Sequence, residues 1–397
     1  MSLDTYHHGV RTIEVNEGAR PIRTIATSVF GMVCIANDAN AAKFPLNTPV
    51  LVTDVYGALA DAGENGTLAR SLEAISNQAR PVGVVVRVAA GEGEGAEAIA
   101  AATNNNVIGT VTEGGQRTGL QALLSAQAML GVKPRVLGVP GLDTQPVTTA
   151  LAVVAQKLRA FAYAGVDDNV KVADVLDYRE NFSARELMLI HPSFQSWSVA
   201  DSATITVPAV AHALGLRAKI DAEQGWHKTI SNVAVSGVTG ISAPIFWDLQ
   251  SSETDAGLLN EAGVTTLINS QGFKFWGSRT CSDDPLFEFE SATRTGQIIA
   301  DTIAEAFMWV SDKPLHPSIA KDILEGVNAK LRSWTSQGYI IGGSAWFDEQ
   351  INTVDRLKAG KLAIDYDYTS AAPLEDLSFR QRITDRYYAD FAQRVAA

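Results

Sequence analysis

The sequence is poor in cysteine, with only Cys34 and Cys281 among 397 residues. Two cysteines cannot build a disulfide framework, so we expect synthesis in a reducing compartment and a fold held together by its core. No apolar run approaches the roughly 18 residues of a membrane-spanning helix. The opening residues, MSLDTYHHGVRTIEV, lack the apolar segment of a secretory signal. We therefore expect assembly in a cytoplasm, without membrane insertion.

Positive charge is also scarce. The chain has 32 lysines and arginines against 44 aspartates and glutamates, a formal net charge of −12. A protein that binds nucleic acid through general phosphate attraction needs the opposite balance, so we predict no nucleic-acid partner. Hydrophobic residues make up 46% and charged residues 19%, as in ordinary globular proteins. The length allows two or three domains and a large core.

The first two thirds of the chain alternate between two kinds of apolar pattern. Short apolar runs predict buried strands at 27–36, 81–90, 134–141, 161–166 and 186–192; the first two are rich in valine and bounded by turn residues. Apolar residues repeating every three or four positions predict helices at 64–79, 119–130, 147–160 and 206–220. Alternating strands and helices favour an α/β fold, in which helices cover a largely parallel sheet.

The pattern changes after residue 260. Apolar stripes predict helices at about 293–310 and 318–336, and a strand follows within 339–350. The segment 91–102, GEGEGAEAIAAA, is predicted to be a surface loop.

The chain ends in two runs with a period of two, which is typical of extended chain with one buried face. The first run places four apolar residues on one side: Leu362, Ile364, Tyr366 and Tyr368. The second does the same with Leu377, Phe379 and Ile383. Near the N-terminus, Ile13 and Val15 alternate more weakly. Amphipathic strands need a partner, either their own domain or a neighbouring subunit, and the patterns leave both options open.

Motifs for phosphate binding are incomplete. Gly91, Gly93 and Gly95 follow a predicted strand, but their spacing is not that of a dinucleotide-binding turn, and acidic residues separate them. Gly114 and Gly119 have the separation of a P-loop without its lysine and hydroxyl. We therefore predict no cofactor.

Motifs for catalysis and metal binding are incomplete as well. No histidine lies in H-E-x-x-H, and IGGSAW at 341–346 lacks the second glycine of a nucleophile elbow. Cys34 lies in an apolar strand, where a thiol is normally inert. Glu288 and Glu290 alternate with phenylalanines and are predicted to lie on the outer face of a strand. We therefore predict no catalytic or metal site, and no enzyme.

Four segments, in order along nearly the whole chain, resemble the contractile tail sheath proteins of myophages and R-type bacteriocins, especially the small sheaths of temperate myophages. They are residues 6–36, 212–241, 258–282 and 360–388. The second carries Asp221, Gly225 and Asn232, and the fourth carries Pro373, Leu374 and Glu375. The third is the most specific, with these matching residues: Gly263, Asn269, Gly272, Trp276, Gly277 and Arg279.

The resemblance implies an α/β scaffold domain of subtilisin-like topology without a protease triad, followed by a C-terminal α+β domain. It also implies extended strand arms at both ends. The expected division is an N-terminal arm at 1–24, a first β-rich segment at 25–100, the α/β domain at 101–270, the C-terminal domain at 271–360 and a C-terminal arm at 361–397.

The resemblance implies a mechanical function. Sheath subunits form stacked, hexameric rings around a tail tube protein, between baseplate and tail terminator proteins, in the virion. Contraction drives the tube through the host envelope for genome ejection. Arms of neighbouring subunits pair with a subunit's C-terminal domain, which assigns the buried faces to five residues: Ile13, Val15, Leu377, Phe379 and Ile383. A tube-facing helix at 318–336 is expected to present Lys321, Lys330 and Arg332.

Alternatives from other classes remain. A headless R-type bacteriocin would use the same sheath. A cytosolic α/β enzyme would keep its ends folded on its own domain and form small oligomers. A tail tube or capsid subunit is a third option, although the motif at 258–282 and the α/β pattern argue against it.

Overall fold

The computed structural model describes residues 22–199, 201–388 and 390–396. Its strands are β1 Phe30–Ile35, β2 Pro49–Val52, β3 Gly83–Val88, β4 Val136–Gly138, β5 Phe161–Gly165, β6 Leu187–Ile190, β7 Phe194–Ser198, β8 Ala203–Val207, β9 Gly240–Ile241, β10 Val264–Asn269, β11 Phe273–Trp276, β12 Ile340–Trp346 and β13 Asp365–Ser370. Its α-helices are α1 Leu68–Ser76, α2 Ala96–Ile108, α3 Gly119–Ala122, α4 Ala126–Leu130, α5 Gln145–Leu158, α6 Val172–Arg179, α7 Ala209–Glu223, α8 Asp255–Glu261, α9 Glu290–Ala306, α10 Pro317–Ser336, α11 Val354–Lys358 and α12 Phe391–Ala396.

The centre of the molecule is an eight-stranded sheet in the order β11-β10-β6-β5-β4-β1-β3-β2. Its six inner strands run parallel, and β2 and β11 are antiparallel at the two edges. Strands β1 and β3 are buried along their whole length, as expected for parallel strands covered on both faces. The segment 25–100 therefore contributes strands to the same sheet as the segment 101–270.

Two helical layers cover this sheet. Helices α1 and α7 pack on one face, where Leu72 and Leu214 join a core with Phe30 and Phe161. Helices α2, α5 and α6 pack on the other, where Leu151 joins a second core. The stripe of α5 faces inward as its periodicity predicts, and the mixed α/β architecture is confirmed.

A third core lies in the C-terminal region. The stripes of α9 and α10 meet β12 there, and the buried residues include Ile299, Leu331 and Trp334. Ile25, near the start of the described chain, is buried in the same core. The segment that leads into β1 and the C-terminal region therefore share one hydrophobic cluster.

Several local predictions were wrong. The predicted loop at 91–102 contains the first turns of α2, because Gly95, with φ of 91°, ends the loop and an alanine-rich run follows. The predicted helix at 119–130 is divided by a 3-10 turn at Leu123–Ser125. The predicted strand around Glu288 is a 3-10 turn at Pro285–Phe287 followed by α9, since the Asp284 carboxylate accepts a hydrogen bond from the Leu286 amide and starts the turn.

Candidate assembly interface

A small two-stranded sheet forms the outer part of the C-terminal region. Strands β12 and β13 are antiparallel, with Ile340 opposite Ser370 and Trp346 opposite Asp365. The inner face of the sheet packs on α10, where Ile340 and Ala345 are buried. The sheet is thus a thin layer fixed to a helix.

The first terminal run folds back on its own chain. Leu362, Ile364 and Tyr368 pack on the third core, as the period of two predicts, whereas Tyr366 is exposed. For this run, β12 is the partner. The predicted C-terminal arm at 361–397 is therefore divided, because its first part belongs to the C-terminal fold.

The second terminal run is extended, without a strand partner in the described ranges. Leu377 is 62% exposed, Phe379 86% and Ile383 96%. Isolated exposed apolar residues are ordinary, but three on one face of an extended segment form a ready template for pairing. Ile13 and Val15 lie outside the described residues.

The small sheet has open edges. Among the described residues β12 and β13 pair with no other strand. The Asn328 side chain of α10 binds the backbone amide and carbonyl of Ala345, so a strand added beside β12 must pair with its other residues. Ile341, on β12, is 68% exposed. A two-stranded sheet is only marginally stable on its own, and added strands stabilise it through main-chain hydrogen bonds. The geometry can therefore accept strands from other chains.

The exposed tail begins at a charged anchor. The guanidinium of Arg279 binds the Glu375 carboxylate in a bidentate manner, at 2.9 Å from Nε and 2.7 Å from Nη2. Its Nη1 lies 2.7 Å from Glu288. Bidentate pairs fix orientation as well as distance. Glu375 therefore marks the point where the tail leaves the folded body.

We expect Glu375→Gln to loosen this anchor without unfolding the protein. An exposed pair contributes about 0–1 kcal/mol, so the base of the tail should open up to about fivefold more often. Thermolysin cleavage at Leu374, followed by mass spectrometry, measures this opening. Glu288→Gln is the matched control, because it removes the other contact of the same guanidinium. Equal cleavage rates in the two variants would contradict the assignment.

A buried ion cluster joins α9 to the α/β body. The Asp221 carboxylate on α7 accepts hydrogen bonds from Arg217, at 2.8 Å, and from Nη1 of Arg294 on α9, at 2.8 Å. The Tyr163 hydroxyl on β5 donates to Glu290, at 2.6 Å. All five side chains are almost completely buried. The cluster therefore ties the central sheet, α7 and α9 together.

The charges in this cluster stabilise one another. Burial alone would raise the pKa of the Asp221 carboxyl, but Arg217 and Arg294 hold it below its ordinary value of 3.8. A carboxyl with a depressed pKa contributes stability that is complete above the unfolded-state value and is lost as the pH falls through the folded-state value. The cluster should therefore weaken only below about pH 4.

A second ion cluster holds the other half of α9. Asp301 accepts a hydrogen bond from Lys133 at 2.8 Å and binds Arg159 at 2.8 Å and the buried Arg135. Burial opposes the charge of Asp301, but Lys133 and Arg135 lower the pKa of its carboxyl. Helix α9 is thus fixed to the α/β body near both ends.

Sequence reasoning missed these clusters. Glu290 was assigned to the outside of a strand, but it is buried. A usable signal was present, because Arg217 and Asp221, like Glu290 and Arg294, are spaced i, i+4 on helices that carry buried residues around them. Charged residues in such helices are almost always paired.

The predicted tube-facing residues do not share one face of α10. Lys321 and Arg332 are exposed and, at about 100° per residue, point in nearly the same direction. Lys330 lies about 180° around the helix from Lys321, within the apolar stripe, half-buried, with Nζ 4.9 Å from the centre of the Trp334 ring. Burial lowers the pKa of Lys330.

Other chemistry-bearing groups are structural or scattered. Burial raises the pKa of both Cys34 and Cys281 to about 12, which leaves the thiols inert. A cleft of about 560 Å³ at the carboxyl ends of β5 and β6 contains Asp143 and Asp168, and burial raises the pKa of Asp143 to about 6. Within the described ranges, no three His, Cys, Asp or Glu residues are placed to hold a metal ion. No helix there is both long and apolar enough to cross a bilayer.

Three family models match the chain. The phage tail sheath protein central domain matches residues 115–281, and the phage tail sheath C-terminal domain matches 282–384. The tail sheath protein Gp18 domain III N-terminal region matches 27–88. Together they cover the central sheet, the C-terminal region and the exposed run at 377–383.

Relatives and solved structures agree with these matches. The tail sheath protein of Escherichia phage P2 is 58% identical over 393 residues, 99% of each chain. The major tail sheath protein of Serratia phage KSP20 is 46% identical over 97% of each chain. The fold is similar to that of the PVC sheath in its contracted state, with a TM-score of 0.71 and 16% identity over 96% of this chain and 99% of that one. The chain belongs to the phage tail sheath protein family.

Proposed function

We propose that this chain polymerises as a helical lattice around a tail tube and that contraction of the lattice drives the tube through a host envelope for genome ejection. The observation that carries this proposal is the exposed apolar tail after Glu375 next to a small sheet with open edges. A monomer gains nothing from such an arrangement, whereas a polymer uses it at every subunit.

The arms are the connecting straps of the proposed lattice. Residues Leu377, Phe379 and Ile383 of one subunit add a strand to the β12–β13 sheet of another, and Ile13 and Val15 do the same from the other end. Main-chain hydrogen bonds supply affinity, and the alternating apolar side chains supply register. Because the tail leaves its own body at Glu375, each strap can swing while its two anchored ends stay fixed.

The proposed mechanism needs no cofactor and no enzymatic step. Subunits assemble in an extended state that is separated by a kinetic barrier from a more compact one. At about 25 cal/mol per Å² of apolar surface, a few hundred Å² of new contact per subunit yields several kcal/mol. Summed over all subunits of a sheath, this free energy is large enough to drive the tube through an envelope. Helix α9, fixed by two ion clusters, supports the rigid-body motion that such contraction requires.

The partners in this proposal are other copies of the chain in hexameric stacked rings, the tail tube protein, and baseplate and tail terminator proteins. Similarity to a chain in the anti-feeding prophage baseplate, with a TM-score of 0.66 over 96% of this chain, supports only the shared fold. The net charge of −12 favours a surface that does not bind nucleic acid. The expected location is the virion, after assembly in the host cytoplasm.

We also propose that the α/β body is a subtilisin-like scaffold without enzymatic activity. Six parallel strands covered by helices on both faces support this topology. In this division of the chain, the arms at 1–24 and after 375 are the connecting parts. The C-terminal region from 271 to 375 accepts the arm strands of neighbouring subunits.

The tube-facing helix can be tested by charge reversal. We expect Lys321→Glu/Arg332→Glu to reduce cosedimentation of sheath with tube, because the two changes remove about 1–2 kcal/mol of charge pairing per subunit. Lys330, within the apolar stripe, contributes less. Lys43→Glu/Lys157→Glu is the matched control, since both lysines are exposed on other elements. Unchanged cosedimentation of the α10 variant, measured across a salt series, would remove α10 from the tube interface.

A further inference from the structure

An apolar groove opens at one end of the β12–β13 sheet. It has a volume of about 690 Å³ and lies between the start of α10, helix α11 and the segments that flank the sheet. Its apolar walls include Ala320, Leu324, Phe347, Val354, Leu357 and Leu362. Val354 is 67% exposed, so nothing in the described ranges covers this wall.

The C-terminal helix α12 has a matching apolar face. Phe391 and Val395, spaced i, i+4, lie on the same side of the helix and are 61% and 72% exposed. The Tyr388 ring, one turn earlier, lies 6.4 Å from the Phe391 ring and extends the apolar surface. A short helix cannot hold its shape in water on its own, so α12 needs a surface to pack against.

The position of the groove fits the path of a strap. Strand β12 runs towards Phe347, and β13 starts shortly after Leu362, so the groove lies where β12 ends and β13 begins. An added strand at 377–383 that runs parallel to β12, or antiparallel to β13, carries the following residues towards the groove. Residues 384–390 span at most about 23 Å at 3.3 Å per residue, enough to turn from the sheet edge onto α11.

We propose that this groove receives α12 of a second copy of the chain. The inference rests on the proposed strap function and adds a second attachment to it: after the strand pairs with the sheet edge, the apolar face of α12 packs into the groove. Recognition of an amphipathic helix by an apolar groove is a recurrent binding mode. The helix anchors the far end of the strap, as Arg279 anchors the near end.

Cysteine cross-linking tests the proposal directly. Val354→Cys and Phe391→Cys are made in separate proteins, mixed, allowed to assemble and oxidised. Cys34 and Cys281 are buried, with pKa values near 12, so they give no background. We expect a covalent dimer in assembled mixtures, and none when Leu286→Cys, at an exposed site away from the groove, replaces Val354→Cys.

A second cross-link separates this proposal from the strap itself. Ile341→Cys on β12 is paired in turn with Leu377→Cys, Phe379→Cys and Ile383→Cys. If a strap pair cross-links and the groove pair does not, the groove proposal is wrong and the strap stands. If neither cross-links in assembled tubes, the strap assignment fails as well.

The same assay distinguishes other occupants of the groove. A protein carrying both Val354→Cys and Phe391→Cys that cross-links within a monomer would show that α12 binds its own chain, which overturns the proposal. If Val354→Cys cross-links to Ile13→Cys and not to Phe391→Cys, the N-terminal arm occupies the groove. That result would also overturn the proposal.

Discussion

Replacing both Phe379 and Ile383 with aspartate is expected to abolish tube formation and leave a folded monomer. Burial of a phenylalanine or isoleucine side chain contributes about 1.5–3 kcal/mol, so the double change removes roughly 3–6 kcal/mol at each strap. It also forces two carboxylates towards an apolar surface, which adds a desolvation penalty. Every subunit carries the same strap, so the loss recurs throughout the lattice.

The fold of the monomer should not change, because both side chains are more than 85% exposed. Circular dichroism and urea unfolding of the soluble fraction measure this. Ser378→Asp/Thr384→Asp is the matched control: it adds the same charge on the opposite face of the extended segment and should still give tubes. Tubes formed by Phe379→Asp/Ile383→Asp would disprove the strap assignment.

The second large effect is expected at the buried ion cluster. Asp221→Ala leaves the guanidinium groups of Arg217 and Arg294 buried without their carboxylate. Breaking a buried pair in this way costs about 3–5 kcal/mol. Urea unfolding in the Phe379→Asp/Ile383→Asp background measures the change in the free energy of unfolding without a contribution from polymerisation.

Glu305→Ala is the control for this experiment. Glu305 lies 3.9 Å from Arg135 but is 60% exposed, so its removal should cost less than about 1 kcal/mol. A loss below 1 kcal/mol for Asp221→Ala would show that the cluster does not hold α9 to the body. The wild-type protein should also lose stability below about pH 4, as the Asp221 and Asp301 carboxyls take up protons.

The Arg279–Glu375 pair and the buried ion cluster indicate how force passes through a subunit. Arg279 binds the tail at Glu375 and also forms a backbone bridge with Phe289. The next residue, Glu290, is part of the buried cluster with Arg217 and Arg294. A load on the strap can therefore reach α7 and the central sheet through a short series of ionic and backbone contacts.

The elements that sequence predicted well are those with a strong local pattern. The apolar stripe of α5 and the valine run of β3 are buried as their patterns predict. A helix with one apolar face, or a strand with two, is stable only when those faces pack against other elements. The first terminal run was also correctly predicted to have a buried face. Its partner, β12, lies some 20 residues away and was not predictable from periodicity.

The elements that sequence predicted poorly depend on distant contacts. The alternation at Glu288 and Glu290 resembles a strand, but the turn at Asp284 and the buried arginines of α7 and α9 place Glu290 in the interior. The anchor between Arg279 and Glu375 joins residues 96 positions apart. Both residues belong to the segments that resemble tail sheaths, but their contact is visible only in the structure.

Negative-stain electron microscopy of the tag-free protein, expressed alone, tests the central claim most directly. The account predicts striated, hollow tubes of uniform diameter, in the contracted, lower-energy state, because the straps and their acceptor sheet are both present in every chain. A stable, monodisperse monomer at concentrations where related sheaths would polymerise would contradict it, since the exposed tail would then have no partner among copies of the chain.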